Sequence, residues 1–347
     1  MVATVTGVPQ ILSLGVASKA SDIHLSAGSR PVIRVNGELS EASSKVIAAA
    51  DLKNWLTSVL DAASLKRLED QGDVDFAFQD KKGVRFRVSA FYSQGTLALA
   101  IRILNSSIPT FDDLNIPQVM RSWSNRQNGL VIITGPTGSG KSTTLATLVN
   151  AANQSKALHI TTIEDPIEYI IPKGLGVVHQ REVGLDTNNF IRATRAALRE
   201  DVDILVLGEM RDQETISAAL TVAETGHLVF ATLHTPSAAQ AIDRIIDAFE
   251  PAEQPLIRSR LASTLVGVAY QRLLPTTDNK RMAVFEILVG TSAIKNLIRE
   301  GKTFQIPNVM TTARNEGMVN MHHSIEELIS QGKIDAAVGS EFLKHNL

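Results

Sequence analysis

Residues 130–152, LVIITGPTGSGKSTTLATLVNAA, join an apolar run to a helix-like segment through a glycine-rich loop. A G-x-x-x-x-G-K-S loop between strand and helix commits this part of the chain to an α/β architecture, with the loop at the carboxyl end of a buried strand. Gly135, Gly138 and Gly140 let the backbone turn its N–H groups inward around a phosphate, at a helix N-terminus whose dipole favours anions. Lys141 brings charge to the β- and γ-phosphates, and Ser142 offers a hydroxyl to Mg²⁺. Pro136, Thr137, Ser139 and Thr143 complete the nucleotide-binding stretch 135–143. A loop that merely connects two elements has no need of the Lys-Ser pair at this spacing.

Beyond residue 118 other short apolar runs, HITTI, DILVLG and LVFATL, alternate with helical segments, as in parallel strands buried on both faces. The expected second domain, 118–347, is a doubly wound α/β unit. The first 104 residues read differently. Short strand-like pieces (HLSAG, PVIRVNGEL, VDFAFQD, GVRFRVSAFY, TLALAIRIL) surround one clear helix, DLKNWLTSVLDAASLKRLEDQG, which predicts a small α+β domain. The period of two places Arg85 and Arg87 on one face and Phe86 and Val88 on the other, with Arg102 projecting beside Ala98 and Ala100 in the next strand. Residues 105–117, NSSIPTFDDLNIP, lack any sustained period and mark a linker.

Composition narrows the functional classes. A net charge of −2 gives no global basic field, so nucleic acid is not an expected partner. The absence of cysteine excludes disulfides, thiolate metal sites and cysteine nucleophiles, and fits the cytosol. No run of about 18 apolar residues occurs, so direct membrane insertion is not expected and any membrane association comes through a partner.

ILVLGEMRD, residues 204–212, has the form of the second nucleotide-site strand of an ATPase, yet ends in Gly-Glu where an acidic pair is expected. Asp203 lies six residues before Glu209, roughly 20 Å at about 3.3 Å per residue, at the end of the strand away from the P-loop. Glu209 is therefore the acid placed to meet Mg²⁺ or its water, with Ser142 as direct ligand. IEDPIEY, residues 163–169, also follows an apolar strand. Glu164 is the candidate to orient the attacking water, Asp165 reads equally as a turn former, and Glu168 either meets metal-bound water or is structural. His234, at the carboxyl end of LVFATL, is placed to sense the γ-phosphate, whereas His227 sits at its start. His322 and His323 look like a helix entry, and the scattered histidines disfavour structural zinc.

With GPTGSGKSTTL, TIEDPIEY, HQREVGLDTNNF, ALREDVDILVLGEMRD, ETISAALTVAETGHLVFATLHT and AIKNLIREGK in view, the chain resembles the secretion-type hexameric ATPases, and among them the type IV pilus retraction ATPases, the PilT family. The resemblance runs from SDIHLSAGSRPVIRVNGEL nearly to the end. It implies a PAS-like N-terminal domain followed by a RecA-like P-loop ATPase domain. It implies that Glu164 is the catalytic glutamate and that Gly-Glu at 208–209 is the family's own form of the strand ending. It also implies a homohexamer in which arginines of one N-terminal domain complete the neighbouring site; Arg87 and Arg102 match that role best, with Arg85 beside them. Arg195 and Arg199 match the helix before the Gly-Glu strand and share a basic face with Arg192, for which a solvated salt-bridging face is the plain alternative.

AIKNLIREGK, residues 293–302, has the pattern of an ordinary amphipathic helix closed by Gly301. The resemblance gives it a role in motor output. ATP and Mg²⁺ are the implied cofactors. The implied partner is an inner-membrane pilus platform protein, through which the pilin machinery is reached indirectly, with a second retraction ATPase as another. The implied location is cytoplasmic, peripheral at the inner face of the cytoplasmic membrane, and ATP bound between the domains would drive a hinge at 105–117. The alternatives are a related motor for pilus assembly, protein secretion or DNA transfer, an accessory retraction paralogue, or a nucleotide-bound scaffold with little turnover.

Overall fold

The computed structural model describes residues 7–35, 37–104, 107–278 and 280–346. Contacts divide the chain into two compact units, Met1–Ser107 and Ile108–Leu347.

The first unit opens on helix α1 (Val8–Ala17), a segment with no helix expectation in the sequence reading. Strands β1 (Asp22–Ser26), β2 (Val32–Val35) and β3 (Glu38–Glu41) follow, then helices α2 (Ala49–Val59) and α3 (Ala62–Gln71). The one long helix expected over DLKNWLTSVLDAASLKRLEDQG is thus two. Leu60 is extended, and Asp61 starts α3 by accepting a hydrogen bond from the Ser64 amide at 2.7 Å. A capping aspartate in mid-pattern ends one helix and begins another.

Strands β4 (Asp73–Gln79), β5 (Arg85–Ser93) and β6 (Thr96–Leu104) complete an antiparallel sheet in the order β3-β2-β1-β6-β5-β4. One face packs on the helices through Ile23, Phe86, Val88 and Ile101 against Ile11, Leu52 and Trp55. The other face carries the arginines, as the period of two requires. Arg87 stands directly opposite Arg102, and Arg102 is paired across β1 with Asp22 at 3.1 Å.

Residues 105 and 106 of the expected linker lie outside the described residues, Ser107 falls to the first unit, and residues 108–117 pack on the second. Ile116 is buried, Ile108, Phe111 and Leu114 pack against the same core, and the Pro109 carbonyl accepts from Thr147 Oγ1 at 3.0 Å. By contacts residues 108–117 belong with the second unit, because their apolar side chains find a core there.

Helix α4 (Gln118–Trp123) leads into β7 (Gly129–Thr134), α5 (Lys141–Ser155), β8 (His159–Glu164), β9 (Val177–Glu182), α6 (Phe190–Ala197) and β10 (Ile204–Leu207). Then come α7 (Gln213–Glu224), β11 (Leu228–Leu233), α8 (Ala238–Asp247), α9 (Gln254–Thr264), β12 (Leu265–Pro275) and β13 (Arg281–Val289). The sheet order is β13-β12-β7-β11-β10-β8-β9, with every neighbouring pair parallel except β12 with β13. Successive strand residues enter two different cores. Leu130, Ile132, Leu205, Leu207 and Val229 meet α7, α8 and α9 on one face, while Val131, Ile133, Val206 and Phe230 meet α4 and α5 on the other. That is the doubly wound arrangement the apolar runs predict.

The chain ends in α10 (Ser292–Arg299), α11 (Ile306–Thr312), α12 (Met321–Ser330) and α13 (Ala336–Asn346). Helix α10 is amphipathic as expected, with Ile294 and Ile298 buried and Gly301 in the left-handed region just past its end at φ 68°. His322 and His323 open α12, whose amide at His323 is capped by Asn320. Among the described residues no helix is long and apolar enough to cross a membrane.

Candidate active site

The strand order assembles the site. Reading across the middle of β12 and the carboxyl ends of β7, β11, β10 and β8, the chain presents Gln271, the P-loop, His234, the Gly208–Glu209 pair and Glu164.

The P-loop turns through Gly135, Gly138 and Gly140, all with positive φ. A Cβ on Gly135 would run into the Gln271 carbonyl, and one on Gly140 would stand 2.9 Å from Gln271 Nε2, so the loop lies directly on β12. Gln271 is buried and uses both halves of its amide: Oε1 accepts from Thr144 at 2.8 Å, and Nε2 donates to the Ser139 carbonyl at 2.8 Å. Loop and helix are thereby pinned to one side chain some 130 residues downstream, a contact no local motif announces. Replacing Gln271 with leucine leaves a buried hydroxyl and a buried carbonyl unpaired, each worth about 1–3 kcal/mol. The expected result is a lower melting temperature and a KM for ATP raised about tenfold, with a smaller change in kcat. Wild-type melting and KM in that variant would make Gln271 a spectator.

Lys141 opens α5 and is buried. Its ammonium donates to the carbonyls of Gly135 at 2.8 Å and Pro136 at 3.0 Å, and to His234 Nδ1 at 3.4 Å. Burial pushes its pKa down, against the opposing pull of Glu209 and Glu168. A phosphate offers this ammonium a better partner than neutral carbonyls do. Because Lys141 can only donate, His234 accepts at Nδ1 and carries its proton on Nε2, which lies 3.6 Å from Glu209 Oε1. Burial first, then the Lys141 charge, hold this imidazole below its ordinary range, so it is neutral at neutral pH. Glu209 is also paired with Arg211 Nε at 2.8 Å. Lys141, His234, Glu209 and Arg211 thus form one chain of contacts from the P-loop to the end of β10.

Gly208 accounts for the absent aspartate. A Cβ there would stand 3.3 Å from the Cα of Glu164 and from the Ile163 carbonyl, so the ends of β10 and β8 approach closely because no side chain intervenes. The Gly208 amide donates to the Ile163 carbonyl at 2.8 Å, and its own carbonyl accepts from Thr232 Oγ1. Asp203 sits at the opposite end, where its carboxylate accepts from the His159 amide at 2.8 Å, a structural role.

Glu164 is the last residue of β8, with Oε1 accepting from Thr162 Oγ1 at 2.6 Å and Gln180 Nε2 at 3.2 Å. Asp165 precedes Pro166 through a cis peptide in the turn that follows. That turn brings Tyr169 back, so its hydroxyl meets Thr143 Oγ1 at 2.9 Å. Ser142 is half-buried one residue into α5.

Arg192 and Arg195 are exposed on α6, and Arg199 lies past its end, donating to the Arg195 carbonyl at 3.2 Å. Arg87 and Arg102 belong to the first unit.

The residues suit a magnesium–nucleotide complex. The three left-handed glycines, a buried ammonium held only by neutral partners and the buried, unpartnered Ser139 hydroxyl make a donor-rich cradle fit for a polyphosphate. Among the described residues no group of three or more His, Asp or Glu gathers around a metal position. A cation here would be held by Ser142, phosphate oxygens and water, the usual manner of Mg²⁺.

A family model described as type II/IV secretion system protein matches residues 4–337. The type IV pilus retraction ATPase PilT of Pseudomonas aeruginosa is 41% identical over 94% of this chain and 95% of its own length. A twitching motility protein of Neisseria gonorrhoeae is 43% identical over 88% of this chain and 82% of its own. A crystal structure of the pilus retraction motor PilT with bound ADP superposes with a TM-score of 0.90 at 41% identity, covering 97% of each chain. The chain belongs to the type II/IV secretion system protein family.

Proposed function

We propose that this chain is an ATP hydrolase that powers type IV pilus retraction, and with it twitching motility. The observation that carries this reading is the row of Lys141, His234, Glu209 and Glu164 across adjacent strand ends. It matches what phosphoryl transfer to water requires: a fixed phosphate, a neutral sensor and two acids. Near-full-length likeness to PilT directs that chemistry to retraction.

The P-loop amides and Lys141 hold the phosphates. Glu164 orients a water in line with the γ-phosphate and takes its proton as the new P–O bond forms and the bond to ADP breaks. His234 meets Lys141 through Nδ1 and faces Glu209 through Nε2–H, so its imidazole links the phosphate-holding lysine to Glu209 and reports loss of the γ-phosphate. Ser142 would hold Mg²⁺, with Glu209 reaching its water, and the ion would supply positive charge against that developing on the phosphate oxygens. Arg87 and Arg102 of the adjacent subunit in a homohexamer complete the charge around the nucleotide. The ring works at the inner face of the cytoplasmic membrane against the pilus platform protein, with residues 1–104 and 118–347 as its moving domains. The test is the number of surface pili per cell after deletion of the gene. A rise is expected; a fall, or no change, would assign the motor to assembly or to another cargo.

A further inference from the structure

The second unit carries a cavity of about 310 Å³ at the end of its sheet opposite the P-loop. The starts of β7 and β12, at Gly129 and Leu265, form its floor, and Lys295 of α10 and Arg126 of the loop before β7 stand at its wall. The six residues of β7 separate it from the P-loop by about 20 Å, so bound nucleotide does not reach it.

Its carboxylate is spent. Both oxygens of Glu224 are taken by Arg260 Nε, at 3.0 and 2.9 Å, and the Ser263 carbonyl is covered by Lys295 Nζ at 3.4 Å. Glu300, just beyond α10, is paired with Lys302 at 2.8 Å. Its donors are not spent. The Arg126 guanidinium and the Asn128 side-chain amide have no hydrogen-bond or ion-pair partner among the described residues, and the lysine has only its one long bond. The cations also repel one another: after burial, Arg299 and Arg126 push the Lys295 pKa down, and no carboxylate pulls it back.

The half-buried Lys295 and the exposed Arg126 and Asn128 converge on one cavity whose carboxylate, Glu224, is already held by Arg260, an arrangement suited to an oxyanion. We propose that this cavity is a second anion site, taking a phosphate group between Lys295 and Arg126 with Asn128 as a third donor. A volume of this size holds a phosphate and a small body attached to it. The phosphate comes either free or on a small phosphomonoester. The site stands whether or not the retraction reading does, because none of its residues belongs to the nucleotide site.

The experiment is calorimetric titration of the full chain, saturated with a non-hydrolysable ATP analogue and Mg²⁺ so that the γ-phosphate position is filled. Inorganic phosphate is one probe and glycerol 3-phosphate the other, at low ionic strength. Binding of at least one probe is expected, the tighter one identifying the source. Lys295→Met and Arg126→Met each weaken it about tenfold or more, while Lys295→Arg retains it. No heat from either probe with the wild-type chain, or unchanged affinity in Lys295→Met, would overturn the proposal. All these side chains sit at the surface of the cavity, and an unchanged melting curve for each variant verifies that the fold is kept.

Discussion

Exchanging Glu164 for glutamine lowers ATP turnover by about two to four orders of magnitude and leaves ATP bound as tightly as before. The range is that of a positioned general base. An amide is nearly the same size as a carboxylate and still presents an oxygen to Thr162 and Gln180, so the end of β8 keeps its hydrogen bonds. What is lost is the ability to accept a proton from the attacking water. Turnover and equilibrium binding of an ATP analogue are measured on the same preparation, so a folding defect shows as loss of both. Near-normal turnover would remove Glu164 from the role of base and move attention to Glu168 or Glu209. No turnover in the wild-type chain would favour the nucleotide-bound scaffold instead.

Exchanging Lys141 for alanine acts on the earlier step. Its ammonium is buried and donates only to two loop carbonyls and an imidazole, while burial lowers its pKa. Nucleotide replaces those neutral partners with anionic phosphate oxygens, and a charge-assisted bond of about 1.5–3 kcal/mol corresponds to roughly 10- to 150-fold in affinity. ADP and ATP affinities are both expected to fall by that order, the ATP affinity more, because Lys141 serves the γ- as well as the β-phosphate. The variant's melting temperature without nucleotide checks that the loop still folds. Unchanged ADP and ATP affinity would mean that the P-loop amides alone carry the phosphates.

The parts legible in the sequence share one property: the information is local. Four apolar runs marked four of the six parallel strands, β9 and β12 escaping, and a period of two marked the arginine face of the first sheet. The glycine-lysine-serine spacing placed the P-loop, and a distance along one strand separated Asp203 from Glu209. What escaped was long-range or depended on a single capping residue. Gln271 reaches the P-loop from a strand some 130 residues away with nothing near it to signal the contact, and Tyr169, though it closes the acidic motif, gave no sign that its hydroxyl meets Thr143 at the start of α5. Asp61 divided a continuous helical pattern. Residues 108–117 look like a linker by composition, yet Phe111, Leu114 and Ile116 find a core. Gly208 posed a question in the sequence that only the neighbouring strand answers.

The central sheet also bears on what specifies strand alignment. Odd and even residues of β7, β10 and β11 enter two cores that are both apolar. In a sheet with one wet face, a one-residue slip exposes every buried side chain, and hydrophobicity alone forbids it. Here such a slip would move each side chain from one greasy layer to another, and burial would scarcely object. Alignment must then be written in the few polar contacts at the strand ends. Asp203 accepts from the His159 amide, the hydroxyls of Thr134 and Thr235 meet at 2.8 Å, and Gln271 holds Ser139 and Thr144. Exchanges among valine, isoleucine and leucine along these strands cost packing energy but leave the alignment alone, whereas those polar pins are the punctuation that keeps the reading frame of the sheet.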